Sequence, residues 1–501
     1  ADAGDKANDG LRINGAHVRA KVLGEGANLA ITQLGRIEMA ERGVAMNTDF
    51  LDNSAGVDSS DHEVNIKILM SDVMSQKEHN MDIAARNKLL EKMTDEVAEH
   101  VLRHNYQQAQ AISLIEMQAH ENLQAHDAFI KYMERNQGLS REIEGLPDQE
   151  TIEKRLRTGK GLTRPELCIL LAYAKISLTK DLLASDTPDN PKMNYWVMDY
   201  FPEILGKKYE KEILRHRLKR EIVATMMANS LVNRLGPTFL QSRMSKTGAT
   251  VEEITQAYLI VRDAFGLRHL WDMIEAMDGK VPAQVQLKAM REIEHGITWF
   301  LTRLGRKMDI DADAMEFSAG IKELSDNLGD MVTDDLKVAI KQREDASVRD
   351  GIPQDLAHWI AVMPVLSSAC DIIRISSEQD THLKNTARTY FELGERFHLD
   401  WLRQKVKFLP HEDHWQSEAA NGLMDQLYES QASMTMRILR DVNGKGKKVT
   451  DEQSFVDLWV EENGSHFRQL DTLFVDLKRA GTVDLSMLTV AEQRLRSLYN
   501  N

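Results

Sequence analysis

The 501 residues exceed what one ordinary hydrophobic core holds, so two or more domains are expected. A formal charge of -15, with acids and bases interspersed, argues against binding a phosphate backbone and excludes nucleic acid as the main partner. The only cysteines, Cys168 and Cys370, sit among apolar neighbours, which excludes a disulfide framework and fits buried thiols in a reducing cytoplasm.

No run of 18 apolar residues occurs, so no membrane span is expected. The start, Ala1-Asp2-Ala3-Gly4-Asp5-Lys6, has neither a hydrophobic signal region nor an initiator methionine. The first residue is therefore expected to lie inside a longer polypeptide.

Ten prolines and 24 methionines, with many Leu, Ala, Glu and Gln, favour helix. The glycine-dense first 70 residues are the exception. Strand candidates run from His17 to Leu23 and from Ala45 to Leu51, with a helix from Gln33 to Gly43 between them, ended by a glycine cap. Asn53-Ser54-Ala55-Gly56 reads as a turn, and Asp61 to Met74 as the next helix. This order suits a parallel sheet with crossover helices, although two strands are too few to be stable alone. The expected fold is mainly α, with a small α/β Rossmann-like remnant at the N-terminus followed by a large all-helical region.

Leu89, Met93, Val97 and Val101, four apart, predict one long core-facing helix from Arg86 onward. Residues 136 to 162 form a polar, loop-rich boundary. Thr163, Pro165 and Glu166 then predict a helix start with a capping box. Leu218, Ile222 and Met226 form one apolar row, and Val223, Met227, Leu231 and Leu235 an adjacent one, before Gly236-Pro237 stops the helix. Ala264-Phe265-Gly266, Gly279-Lys280-Val281-Pro282, Gly351-Ile352-Pro353 and Asn443-Gly444-Lys445-Gly446 punctuate the remaining helices. No repeat of fixed period is present. The expected domains are 1–75, the C-terminal part of a dinucleotide-binding α/β domain; 76–160, long helices linking lobes; and 161–501, an all-helical C-terminal domain.

Chemistry concentrates at two places. Gly24-Glu25-Gly26-Ala27-Asn28 follows a strand candidate, where glycines let a backbone approach a ligand closely. The dinucleotide fingerprint fails at its third position, Leu29, so a plain turn remains open. Asn53-Ser54-Ala55-Gly56-Val57-Asp58-Ser59-Ser60 follows the second strand candidate. An asparagine amide offers the donor and acceptor that a carboxamide needs, and a serine at a helix start offers donors to a carboxylate. Ser59 or Ser60 acting as a simple N-cap accounts for the same residues. His100 and His104 share a helix face without an evident third metal ligand, so a solvated or capped pair is expected and no metal site. His411-Glu412-Asp413-His414 reads as a surface turn, His62-Glu63 is no zinc motif, and Asn443 to Lys448 lacks the residues of a phosphate-binding loop.

Residues 22 to 65, from Val-Leu-Gly-Glu-Gly-Ala-Asn through Asn-Ser-Ala-Gly-Val-Asp-Ser-Ser-Asp-His-Glu-Val-Asn, resemble the large bacterial NAD-dependent glutamate dehydrogenases. More distantly they are similar to the E-G-A-N and N-A-G-G-V-x-x-S-x-x-E segments of the small hexameric ones. The resemblance continues through Asp5-Lys6-Ala7-Asn8-Asp9 and from His216 to Phe239. It implies NAD as cofactor, L-glutamate and 2-oxoglutarate as substrates, a homo-oligomer, and hydride transfer by a lysine-assisted iminium route. Carried over by position, Gly26 and Asn28 belong to the cofactor site, Asn28 beside the nicotinamide ribose region. Asn53 falls at the nicotinamide end, Val57 near its ring, and Ser60 at the serine that binds a substrate carboxylate. Ser54 and Ala55 stand where the small enzymes have Ala and Gly, and Asp61-His62 replaces an aromatic pair.

Lys6, Lys21 and Lys67 are the only lysines in this segment, and none sits in the family's glycine-flanked lysine motif. No catalytic residue is therefore assigned, and the chain is expected to hold part of a site and to be inactive alone. The competing reading is a non-catalytic helical scaffold or a regulatory or oligomerisation module in which both motifs are turns.

Overall fold

Helix is what this proline-poor chain forms nearly everywhere in the computed structural model, which describes residues 9–303, 312–409, 414–446, 453–480 and 482–500. The chain divides into two compact units, Ala1–Tyr258 and Leu259–Asn501.

The first unit contains α1 (Gln33–Glu41), α2 (Asp49–Asp52), α3 (Ser54–Ser75), α4 (Ile83–Lys92), α5 (Thr94–Glu116), α6 (Leu123–Gln137), α7 (Arg141–Glu144), α8 (Gln149–Thr158) and α9 (Arg164–Leu183). It continues with α10 (Asn194–Tyr200), α11 (Glu203–Leu214), α12 (Lys219–Leu235) and α13 (Phe239–Thr247). The expected α/β remnant is not found. Among the described residues there is no strand, only an isolated parallel bridge between Val22 and Ala45. The Leu23 N–H donates to the Ala45 carbonyl at 3.0 Å, and the Ala45 N–H to the Lys21 carbonyl at 2.9 Å. One bridge without neighbours cannot propagate a ladder. The second strand candidate is cut at Thr48, because Asp49 to Asp52 turn helical and two of their carboxylates cap backbone N–H groups elsewhere.

Other boundaries shift for local reasons. The turn expected over Asn53–Gly56 shortens to Asn53, because α3 begins at Ser54. The single helix predicted from Arg86 is broken at Met93 into α4 and α5, although Leu89, Met93 and Val101 are buried as their spacing implies. Residues 136 to 162 hold the short helices α7 and α8, each followed by a glycine in the left-handed region, Gly145 and Gly159. Their polarity is that of half-exposed amphipathic helices, not of loops.

The helix starting at Thr163 forms as expected. The Glu166 carboxylate accepts the Thr163 N–H at 2.6 Å and its hydroxyl at 2.8 Å, with Pro165 in the first turn. α9 buries Leu167, Cys168, Leu170, Leu171, Leu178 and Leu182, and packs on α12, whose Val223, Met227 and Leu231 are also buried. α3 packs on α5, burying Ile66, Leu69, Met70 and Val73. Both cysteines are buried and neither is in a disulfide, and burial pushes the Cys168 thiol up to about 11.

In the second unit, Gln354–Leu366 and Ala369–Glu378 are apolar helices bent by 57° and largely buried. Gly296 and Gly320 permit close approach there. A Cβ at Gly296 would lie 2.3 Å from Met363 Cγ, and one at Gly320 2.6 Å from Ile373 Cγ1. Among the described residues no single helix is long and apolar enough to cross a membrane. The segment predicted as a surface turn, His411 to His414, lies outside the described residues except for His414, which opens a helix reaching Gly444. Asp5 to Asn8, Lys447 and Lys448 also lie outside them.

Candidate functional site

The stretch from Gly24 to Leu29 leaves the Val22–Ala45 bridge as an irregular loop, and buried charge holds it. Glu25 and Arg36 are both buried, and the Arg36 guanidinium grips the Glu25 carboxylate in a two-pronged pair, Nε to Oε2 and NH2 to Oε1, each at 2.8 Å. The same guanidinium lies 2.9 Å from Asp49 Oδ1. The carboxylates also cap backbone: Glu25 Oε1 accepts the Ile31 N–H at 2.9 Å, Asp49 Oδ2 the Leu29 N–H at 2.8 Å, and Asp52 Oδ2 the Glu25 N–H at 3.0 Å. Burial works against charge on Arg36, but the Glu25 hydrogen bonds and the charges of Glu25 and Asp49 outweigh it and hold the guanidinium pKa up. Burial likewise opposes the Asp49 carboxylate, yet the Leu29 N–H and the Arg36 charge keep it below its usual range.

This network brings the two predicted motifs together. The Asn53 side-chain Nδ2 donates to Asn28 Oδ1 at 2.7 Å. Asn53 occupies the position before α3 but makes no side-chain cap, its amide being turned to Asn28 instead. The neighbouring Ser54 is held from α5, where Asn105 Nδ2 donates to Ser54 Oγ at 2.9 Å and to the Leu51 carbonyl at 2.8 Å. Arg164, at the start of α9, donates to Asn47 at 2.9 Å and to Glu116 on α5 at 2.7 Å, fixing the approach to α2.

Val57 and Ser60 lie three apart on α3 and share an exposed face. Ser60 sits six residues beyond Ser54, so it neither caps the helix nor meets the free N–H groups of its first turn. Ser59 spends its hydroxyl on the Ala55 carbonyl at 2.7 Å, whereas Ser60 has no hydrogen-bond partner among the described residues. At Gly24, Gly26 and Gly56 a Cβ would meet nothing within 4 Å, and none has positive φ, so neither packing nor backbone conformation explains why these positions are glycine. Close to these glycines in sequence, Val22, Leu29 and Val57 are 73%, 84% and 75% exposed.

Behind that face lies a polar cluster missed in the sequence. His62 on α3 is fully buried, with Tyr200 stacked on it at 4.3 Å and His100 and His104 of α5 at 5.8 and 6.0 Å. Burial drives the His62 pKa down to about 4. Of the pair expected to be solvated or capped, His104 is held by Asp58, its Nδ1 lying 2.9 Å from Asp58 Oδ2, and His100 faces the His62 ring. The i, i+4 spacing of Asp58 and His62 was a visible signal, but the third member comes from 46 residues away.

Two family models match the chain: "Glutamate dehydrogenase, C-terminal" over residues 159–497 and "Bacterial NAD-glutamate dehydrogenase, catalytic domain" over residues 1–115. Curated relatives called NAD-specific glutamate dehydrogenase include one from Halomonas elongata, 40% identical over 93% of this chain and 29% of its own length. Others come from Pseudomonas aeruginosa, 38% identical over 99% of this chain and 31% of its own length, and Mycobacterium tuberculosis, 35% identical over 99% and 30%. The chain thus spans about a third of the length of the curated relatives it matches.

Proposed function

The chain belongs to the glutamate dehydrogenase C-terminal family, and on that premise we propose that it forms one wall of the cofactor and substrate site of an NAD-dependent enzyme. The reaction is L-glutamate, NAD and water going to 2-oxoglutarate, ammonium and NADH. The observation that carries this reading is the 2.7 Å bond by which Asn53 and Asn28 join the two motifs at one exposed rim.

The residues present fit the cofactor. Asn53 keeps one amide hydrogen and its carbonyl oxygen beyond the bond to Asn28, a donor and an acceptor for a carboxamide. The open space over Gly26 lets a ligand approach the backbone, and Val57 offers an apolar wall. NAD, when bound, supplies the two-electron acceptor. Ser60, with its hydroxyl uncommitted, donates to a substrate carboxylate. Its assignment rests on the family position, since the helix-start support expected for it is absent. No lysine here stands in the family's glycine-flanked motif, so the lysine that assists the iminium route is assigned to a segment outside this chain, and residues 76–160 and 161–501 supply linking helices, support and contacts within a homo-oligomer. The buried thiols fit a cytoplasmic setting.

The test mixes the purified chain with the part of a relative that it does not span and follows NADH formation from glutamate. We expect none from the chain alone, activity from the mixture, and a raised KM for NAD in that mixture with Asn53→Ala. Robust turnover by the chain alone, or a mixture indifferent to Asn53→Ala, overturns the reading.

A further inference from the structure

The His62 imidazole is fully buried, yet neither ring nitrogen has a hydrogen-bond partner. Buried polar groups are almost always satisfied, so two orphaned nitrogens on one ring call for an explanation. The ring is held in place. Tyr200 stacks on it at an interplanar angle of 13°, and the Tyr200 hydroxyl is itself tied, accepting from Asn65 Nδ2 at 2.9 Å and donating to Asp61 at 3.0 Å. His62 Nε2 lies 3.9 Å from Asp58 Oδ1, and the other oxygen of that carboxylate lies 2.9 Å from His104 Nδ1.

We propose that Asp58, His62 and His104 form a binding site for a divalent transition-metal cation, of which zinc is the best match. Asp58 and His62 are one turn apart on α3, and His104 projects from the packed α5, so one ligand atom from each falls within 4.8 Å of the others. Ligand atoms on tetrahedral zinc stand roughly 3.4 Å apart, so small side-chain rotations close the set. Two imidazoles and a carboxylate suit zinc and its neighbours, not calcium or magnesium, which take oxygen ligands. A plain Asp58–His104 hydrogen bond accounts for two of the three residues and leaves His62 unexplained. Those two side chains are 22% and 25% exposed, which gives the ion a way in and leaves a coordination position for water. Bound there, the ion pins α3 to α5 behind Val57 and Ser60. Its role is structural and independent of the dehydrogenase reading.

The test strips the full chain with a chelator and titrates it with Co²⁺, read by visible absorption, and with Zn²⁺, read by thermal melting. We expect one Co²⁺ per chain, displaced by Zn²⁺, and a Tm raised by several degrees with excess Zn²⁺. Asp58→Asn and His104→Ala, at partly exposed positions, should weaken Co²⁺ at least about tenfold and abolish the zinc-linked shift in Tm. His62→Phe keeps the ring stacked on Tyr200, so it should fold and yet lose the metal. Glu78→Gln, in the separate Glu78, His79 and Glu212 cluster, should change nothing. No stoichiometric Co²⁺, or binding that survives both His62→Phe and His104→Ala, overturns the site.

Discussion

The Asn53 amide donates to the Asn28 amide oxygen across 2.7 Å, joining loops 25 residues apart in sequence at an exposed rim. Each residue is therefore positioned by the other. On the proposed function, in the enzyme assembled with the part of a relative that this chain does not span, Asn28→Ala and Asn53→Ala should each raise the KM for NAD. The loss of a neutral hydrogen bond contributes about 0.5–1.5 kcal/mol, or roughly twofold to tenfold. The double variant should cost less than the sum, because both single changes break the same bond. Strict additivity in a double-mutant cycle would show that the two amides act separately.

Arg36 serves two carboxylates, Glu25 at 2.8 Å and Asp49 at 2.9 Å, all three side chains being buried. Arg36→Met strands both negative charges and should destabilise the first unit by about 3–5 kcal/mol in urea unfolding. Arg36→Lys should recover little, since an ammonium cannot reproduce the two-pronged grip on Glu25. A full recovery by lysine would mean that charge alone matters at this position.

His126 on α6 is buried, and burial alone takes its pKa from the ordinary 6.5 down to about 4. The folded-state pKa is depressed, so the unfolded chain binds the proton first and stability falls as pH drops from 6.5. The slope reaches at most about 1.4 kcal/mol per pH unit and vanishes below about pH 4. His126→Gln should flatten this limb. Parallel acid dependences for the two proteins, measured by denaturant unfolding at stepped pH, would remove His126 from the account.

Met227 and Leu231 show what periodicity alone makes legible. Their rows on α12 are visible in the sequence as four-residue spacing, and both side chains are buried in the structure. The α9 start was equally legible, because Thr163, Pro165 and Glu166 act within one turn. The first 70 residues were not. Alternating and glycine-rich stretches read as strands, but strand pairing depends on neighbours, and here it ends after one bridge. Nothing local in the sequence reveals that Glu25, Arg36 and Asp49 meet in the interior. Met227→Asp or Leu231→Asp should lower stability by more than about 3 kcal/mol, since an unpaired carboxylate would enter that core. Unchanged melting of both variants would contradict the packing of α12.

Ser60 offers the cleanest separation of stability from function. It is exposed in the second turn of α3, with no hydrogen-bond partner among the described residues and with Asn53 occupying the cap position. Ser60→Ala should therefore leave the melting temperature unchanged or slightly raised, alanine being the better helix former. If the hydroxyl donates to the substrate carboxylate, its removal forfeits a hydrogen bond to a charged group, about 1.5–3 kcal/mol. Glutamate kcat/KM should then fall roughly tenfold to a hundredfold in the assembled enzyme, with the KM for NAD scarcely moved. Ser59→Ala is the control. Its hydroxyl is bound to the Ala55 carbonyl, so its loss should leave both kinetic parameters near wild type. Equal kinetic effects at Ser59 and Ser60 would point to a general disturbance of α3, and an unchanged glutamate kcat/KM for Ser60→Ala would take that serine out of the substrate site.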